Sequence, residues 1–431
     1  MAQTPFPPTR GAPRRGPRAP AASSVAAELL EVEGHIIDSL ILAKILDVIL
    51  DAGADYRIVE FTVGKTNVDT SRMQLEVTAD DEEALALLIT ELQVHGANRV
   101  AHSDASVAVV SLDGVLPEGF YSTTNLATQV RLGGRWIDVE NPEMDCGLLV
   151  LPDGRVRTCP MHRVRVGDQV VVSEQGVKVQ ALARPRGPSP FEFMSSEVSS
   201  EKPKGLLVAQ VAERIRRARA TGGKVLAVCG PAVIHTGAGP DLARLVHGGI
   251  VDVLFAGNGF AAHDIEAAVL GTSLGVPIDD AAPPEGGHAN HLRVINEVRR
   301  RGSIAAAVAD GYVPCGVMFE CVKADVPFVL GGSVRDDGPL PDVHTDVVEA
   351  ADAMRQLLPG VAVALMLAST LHAIATGNLL PAGVETYCVD INQAVVTKLA
   401  DRGSHQALGL VTDVGLFLRT LAAELDLAAA T

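Results

Sequence analysis

The chain has 431 residues, enough for two or three domains with sizeable cores. Aromatic residues make up only 3%, so those cores must be built from Ala, Val, Leu and Ile, and a net charge of −16 argues against general nucleic-acid affinity, which needs clustered Lys and Arg. No apolar run reaches the roughly 18 residues of a membrane span, and the six cysteines form no CxxC pair, so reduced thiols in a cytoplasmic protein are expected.

Residues 1–28 are rich in Pro, Ala and Arg, with no apolar stretch of the kind that a secretory signal needs, and read as a disordered tail. Residues 29–124 follow a βαββαβ order, a ferredoxin-like plan. It has a helix over Ser39–Ala52, and Asp80 stands as the cap of a second helix, three residues before Glu83. The stretch NRVAHSDASVAVVSL supplies the last strand material. Residues 125–190 read as short strands punctuated by turns such as Pro152-Asp153-Gly154, hence a small β-subdomain. Cys146, Cys159 and His162 match no zinc spacing there. A Pro- and Ser-rich linker is expected over 191–204.

From 205 to 431, continuous apolar strands alternate with helical patterns: KVLAVCGP, VDVLFAGN, VPID, VPFVL, VAVALML, ETYCVDI and ALGLVT. Such runs are buried on both faces, so they predict a parallel, doubly wound, Rossmann-like sheet. The fold class is therefore α/β, with the two smaller modules before the main domain.

Ligand groups on such a sheet sit at the carboxyl ends of the strands. Gly257-Asn258-Gly259 opens a G-x-G-x-x-A string between strand and helix, where bare backbone can approach a pyrophosphate. Asp279, about twenty residues on, fits a ribose-binding acid, as does Asp390 followed by Asn392. GPAVIHTGAGP, Gly230 to Pro240, is a second glycine-rich loop, carrying His235 and Thr236. GGHANH, Gly286 to His291, holds two histidines. Val326 to Thr345 combines a strand, Gly331-Gly332-Ser333, the charged trio Arg335, Asp336 and Asp337, and two stiffening prolines. Arg335 suits a carboxylate, and Asp336 or Asp337 an ammonium group. Glu320 and Lys323 lie three apart on a predicted helix face. Asn378, Thr412 and Asp413 stand at further element ends.

The strings EGHIIDSLILAKILD, GPAVIHTG, AGNGFAAHDIEAAVLGTSLG, PFVLGGSVRDDGPLPDV, LHAIATGNLLP and VDINQAVVTKLADRGSHQALGLVTDV together resemble one family over residues 30–425. It is the family with the LOR/SDH conserved region, whose characterised members are archaeal NAD-dependent ornithine cyclodeaminases. The carboxyl-terminal half of cyanobacterial arginine dihydrolase/ornithine cyclodeaminase is also similar, and the family's Rossmann-like domain is similar to that of deoxyhypusine synthase. The resemblance implies NAD as cofactor, ornithine as substrate and a homo-oligomer, dimer or tetramer. It does not imply arginine dihydrolase activity, since only a short tail precedes the matching region.

The implied chemistry passes a hydride from the α-carbon of ornithine to NAD⁺. The δ-amine attacks the resulting imine, ammonia leaves, and the hydride returns to give proline. In this setting Arg335, Asp336, Asp337, Glu320 and Lys323 are the expected catalytic and substrate groups. Gly257, Asn258, Gly259, Asp279, Gly331, Gly332, Ser333, Asn378, Asp390, Asn392, Thr412 and Asp413 are the expected cofactor groups. Two alternatives stay open on the sequence: an amino-acid or imine dehydrogenase related to saccharopine metabolism, and a non-enzymatic NAD or amino-acid sensor.

Overall fold

Alternation with period two in Ser71–Ala79 buries one set of side chains and leaves the other half-buried or exposed, as the first of three sheets of four or more strands requires. The structure is a computed structural model that describes residues 26–37, 41–65, 69–100, 103–180, 204–274, 276–277, 289–336, 338–395 and 407–427. The first module runs β1 (Ala26–Gly34), α1 (Ile41–Asp51), β2 (Asp55–Thr62), β3 (Ser71–Ala79), α2 (Glu82–Gln93) and β4 (Ala97–Arg99). Its sheet order, β2-β3-β1-β4, is the ferredoxin-like one that the βαββαβ pattern predicts. The helix cap is Asp81 rather than Asp80. The Asp81 carboxylate accepts the Ala84 N–H at 2.8 Å, because the helix begins one residue later than the capping-box spacing suggests.

The next seven strands form one sheet: β5 (Ser106–Val109), β6 (Thr128–Leu132), β7 (Arg135–Glu140), β8 (Gly147–Val150), β9 (Val156–Cys159), β10 (Gln169–Val172) and β11 (Val177–Val179). Their order is β11-β6-β7-β9-β8-β10-β5. The stretch expected to finish the first module is thus split. Residues 97–99 stay in the first sheet, while β5 pairs antiparallel with β10 in the second. His162 and Arg163 of this region pair with Asp352 in the third.

The third unit runs α3 (Lys204–Ala220), β12 (Lys224–Cys229), α4 (Ala232–His235), α5 (Gly239–His247), β13 (Val253–Gly257), α6 (Asn258–Leu270), β14 (Thr272–Ser273), β15 (Val276–Pro277), α7 (Asn290–Arg301), α8 (Ile304–Ala309), α9 (Val317–Lys323), β16 (Phe328–Gly331) and β17 (Val343–His344). It continues with α10 (Val347–Leu357), β18 (Val361–Leu367), α11 (Leu371–Leu379), β19 (Glu385–Asp390), β20 (Ala407–Val411) and α12 (Val414–Glu424). The main sheet is parallel throughout, in the order β17-β16-β13-β12-β18-β19-β20. The chain therefore winds outward from β12, then returns to its other side at β18. The crevice beyond the carboxyl ends of β12 and β18 is the switch point where doubly wound folds bind ligands.

The apolar strands explain the two helix layers. In β12, Val225, Ala227 and Cys229 join the core under α3, α5, α6, α9 and α12, while Leu226 and Val228 face the layer of α10 and α11. Residues 276–277 of the VPID stretch correct one expectation. They pair with β14 in a two-stranded hairpin instead of joining the parallel sheet.

Candidate active site

Three neighbouring strands end on glycine: Gly230 just past β12, Gly257 at the end of β13, and Gly331 at the end of β16. Gly257 and Gly331 are register partners. A Cβ on Gly230 would fall 1.8 Å from the Ala368 carbonyl oxygen, so the backbones after β12 and β18 touch at the switch point. A Cβ on Gly257 would lie 2.7 Å from His372 Cε1, and one on Gly331 would lie 3.2 Å from His372 Nε2. The His372 imidazole, from the first turn of α11, thus rests on two strand ends that carry no side chain. Burial holds its pKa below the ordinary 6.5, while the nearby Asp336 carboxylate acts the other way. His372 lies within LHAIATGNLLP, but its role was not legible there, since only the fold brings it back over β13 and β16.

The charged loop after β16 is a tight turn. Asp336 Oδ2 accepts the Ser333 N–H at 2.8 Å, and Ser333 Oγ accepts the Arg335 N–H at 3.0 Å. Its return leg is pinned, because the Leu340 N–H donates to Asn258 Oδ1 at 3.0 Å and Arg299 Nη1 donates to the Pro339 carbonyl at 2.6 Å. The Gly332 N–H closes on the His344 carbonyl at 2.8 Å. Asn258 is buried by this bracing. Asp336 is half-buried, whereas Arg335 is exposed and makes no ion pair among the described residues. Asp337 and Asp279 lie outside the described residues.

Across the switch point, Asp390 ends β19, with one carboxylate oxygen accepting the Asn392 N–H at 2.7 Å. Asn392 Oδ1 in turn accepts the Ala394 N–H. Thr412 follows β20 and is buried, and its hydroxyl has no partner among the described residues. Asp413 caps α12 by accepting the Leu416 N–H at 2.8 Å. These four residues therefore occupy the same sheet edge as the glycines.

Three expected site residues do not reach that edge. Glu320 is buried in α9 and accepts from His247 of α5 at 3.0 Å, inside a helix layer. Lys323 ends α9 with its ammonium 5.5 Å from the Phe319 ring. As α9 leads into β16, Lys323 falls at the amino end of that strand. Asn378, in the last turn of α11, gives its carbonyl to the Met144 N–H at 3.0 Å and serves the junction with the second sheet. Spacing put Glu320 and Lys323 on one helix face and Asn378 at an element end, but α9 and α11 carry them away from the carboxyl edge of the sheet.

Residues 27–126 match the family described as the LOR/SDH bifunctional enzyme conserved region. Residues 127–208 and 209–421 match the arginine dihydrolase ArgZ-like C-terminal first region and its Rossmann fold. A Methanopyrus kandleri protein named ornithine cyclodeaminase is 51% identical over 92% of this chain and 97% of its own length. The chain belongs to the ornithine cyclodeaminase family. Among solved structures, apo ArgZ, a cyanobacterial arginine dihydrolase of the ornithine-ammonia cycle, superposes with a TM-score of 0.83 at 38% identity, over 95% of this chain and 60% of ArgZ. AgrE, crystallised as a ternary complex with ornithine and NAD⁺, is 42% identical over 93% of this chain and 58% of its own, with a TM-score of 0.51. This chain thus spans little more than half of the two cyanobacterial proteins.

Proposed function

We propose that this chain converts L-ornithine to L-proline and ammonia with tightly held NAD⁺, at the carboxyl edge of its parallel sheet. The observation that carries the reading is the likeness, over nearly the whole chain, to AgrE, whose crystal structure holds both ornithine and NAD⁺. The residues here fit such a cofactor. On one side of the switch point Gly257 and Gly331 let the His372 ring lie against the strand ends, and Ser333 stands exposed beside them. On the other side, Thr412 has a buried hydroxyl with no partner among the described residues, and Asp390 keeps one carboxylate oxygen for a ribose hydroxyl. Asn392 and Asp413 frame that end. When bound, NAD⁺ supplies an acceptor that takes a hydride from the substrate and later gives it back.

The chain's own residues orient the diamine and move its protons. Arg335, free of ion pairs among the described residues, binds the carboxylate; Asp336, with Asp337 beside it, binds an ammonium group. His372 is neutral at pH 7 because burial lowers its pKa, so it can accept a proton from an amine held against the glycine floor. The stiff turn from Ser333 to Asp336 fixes the distance between these groups, which proximity catalysis requires. The reading includes a cytoplasmic homo-oligomer, supported by six free cysteines and by exposed Val107, Val109 and Leu112 at and beside the edge strand β5. Incubation of purified protein with ornithine and NAD⁺ tests the activity. Equimolar ammonia and proline are expected, and neither product would sink the reading. Light scattering should give a dimer or tetramer.

A further inference from the structure

The first module leaves one long strand edge open. β2 stands at the end of the sheet order β2-β3-β1-β4, so its outer row of backbone N–H and C=O groups has no strand beside it among the described residues. Its sequence, DYRIVEFT, holds neither the lysine nor the proline that commonly blunts such an edge. Ile58 and Val59, at its middle, are 41% and 48% exposed, so two apolar side chains stand in water there. The register against β3 carries an irregularity at the same place. Ile58 pairs with Leu75 and Glu60 with Gln74, which are neighbours on β3, so Val59 is an extra residue, a β-bulge. In a regular strand, residues three apart lie on opposite faces, which would separate Arg57 from Glu60. The extra residue puts them on one face: Arg57 opposes Glu76 and Glu60 opposes Gln74, both in the set that β3 turns away from the core. Tyr56 and Phe61 share the other face, opposite the buried Val77 and Met73.

A bulge puts a strand out of step with any regular strand laid along it. A second copy of β2, running antiparallel, carries the same extra residue, and the two bulges meet across a two-fold axis between Ile58 and Val59. In that register Arg57 faces Glu60 of the partner subunit, Tyr56 faces the partner's Phe61, Ile58 faces the partner's Val59 and Asp55 faces the partner's Thr62, each twice. Opposite charges, aromatic pairs and β-branched pairs are the cross-strand contacts that stabilise antiparallel sheets. Moving the axis onto Ile58 sets Tyr56 against Glu60, and moving it onto Val59 sets Ile58 against Glu60, so either shift leaves Arg57 and Glu60 without a charged partner across the axis. Arg57 is already held on the outer face, its Nε donating to Glu76 Oε2 at 3.0 Å, with 70% of its side chain exposed. Glu60 is exposed and makes no ion pair among the described residues. We infer that β2 is an interface between two copies of this chain, its strands paired antiparallel about an axis between Ile58 and Val59, so that two first-module sheets join into one. This rests on the homo-oligomer part of the proposed function, to which it gives a face apart from the residues beside β5. It is independent of the substrate.

Sedimentation velocity of the full chain across a wide range of concentration tests the interface, with circular dichroism as the fold control. Two short strands make a contact at the low end of interface sizes, so wild type should fall to half its mass on dilution. Glu60→Arg and Arg57→Glu each set like charges opposite one another twice. Either variant should keep the lower mass at concentrations where wild type has the higher. Ile58→Lys, at an exposed position that leaves the Arg57–Glu76 pair intact, should do the same. The double exchange, Arg57→Glu with Glu60→Arg, restores opposite charges and should restore the higher mass, which loss of the Arg57–Glu76 pair alone would not permit. Wild-type mass in all three single variants would overturn the interface and leave a homo-oligomer built through another face. Single variants that dissociate without rescue by the double exchange would overturn the register. Wild type monomeric at every concentration would overturn the interface and the homo-oligomer together.

Discussion

In the proposed site His372 is the central residue, because its ring lies against two strand-end glycines. Gly257→Ala would set a methyl group 2.7 Å from the imidazole, so the ring must leave its seat. We expect kcat to fall about 10²-fold, close to the effect of His372→Gln, while NAD⁺ affinity changes far less. Steady-state kinetics on both variants check this, and a Gly257→Ala enzyme at full rate would show that the seat has no part in turnover. Arg335→Ala should raise the KM for ornithine tenfold or more through loss of a charge-assisted pair of roughly 1.5–3 kcal/mol, with kcat nearly intact. That Gly331, Gly332, Ser333, Arg335 and Asp336 share one strand end was legible in the sequence, since strand, glycine and charge follow one another along the chain. His372 was not, because it stands about forty residues after Gly331 on a different helix, and only the parallel winding of β18 past β12 brings it there.

At the scale of elements, the start of α9 shows how the sheet's helix layer is fixed. Asp264 of α6 accepts the N–H groups of Val317 and Met318 at 3.0 and 2.8 Å, capping α9 from a neighbouring helix. Gly316 approaches so closely that a Cβ would lie 2.9 Å from that carboxylate, and its φ is +106°. Gly316→Ala should therefore cost about 2–3 kcal/mol, through strain and displacement of the cap. Gly311→Ala, at φ +82° in open space, should cost about 1 kcal/mol. Thermal unfolding of the two variants compares them. Complete burial lifts the Asp264 pKa from 3.8 to about 6, against the pull of the two N–H groups. The folded state thus holds this proton more tightly than the unfolded chain. Its contribution is most favourable below pH 4 and declines as pH rises to about 6, by on the order of 3 kcal/mol. Asp264→Asn should flatten that stretch of the stability profile relative to wild type. The continuous apolar strands made the parallel sheet readable, whereas the cross-helix cap was not, since its partners are more than fifty residues apart.

Across the whole molecule, the second sheet is clamped to the main domain by ionic contacts that no local pattern announces. Arg355 of α10 donates to both oxygens of the buried Glu143 at 2.7–3.0 Å and to Asp352 at 2.7 Å, while His162 and Arg163 reach the same Asp352. Glu143→Ala leaves the Arg355 guanidinium, whose side chain is only 17% exposed, with Asp352 alone as its carboxylate partner among the described residues, which should cost about 2 kcal/mol and split a single thermal transition into two. Burial would raise the Asp352 pKa, but hydrogen bonds from Arg163, His162 and Arg355 carry it below 3.8. The clamp is therefore fully present above that pH and weakens as pH falls below it. Module order, ferredoxin-like topology and the doubly wound sheet all followed from periodicity; the docking of modules did not, because it depends on pairs some 190 to 212 residues apart.

The central claim is that hydride leaves the α-carbon of ornithine and returns to the same carbon within one site. Turnover of ornithine deuterated at that carbon, with unlabelled NAD⁺ and the absorbance of NADH recorded throughout, tests it most directly. The account predicts proline that retains the deuterium, ammonia in equal amount and no accumulation of NADH. Steady NADH release, or proline that has lost its label, would contradict it.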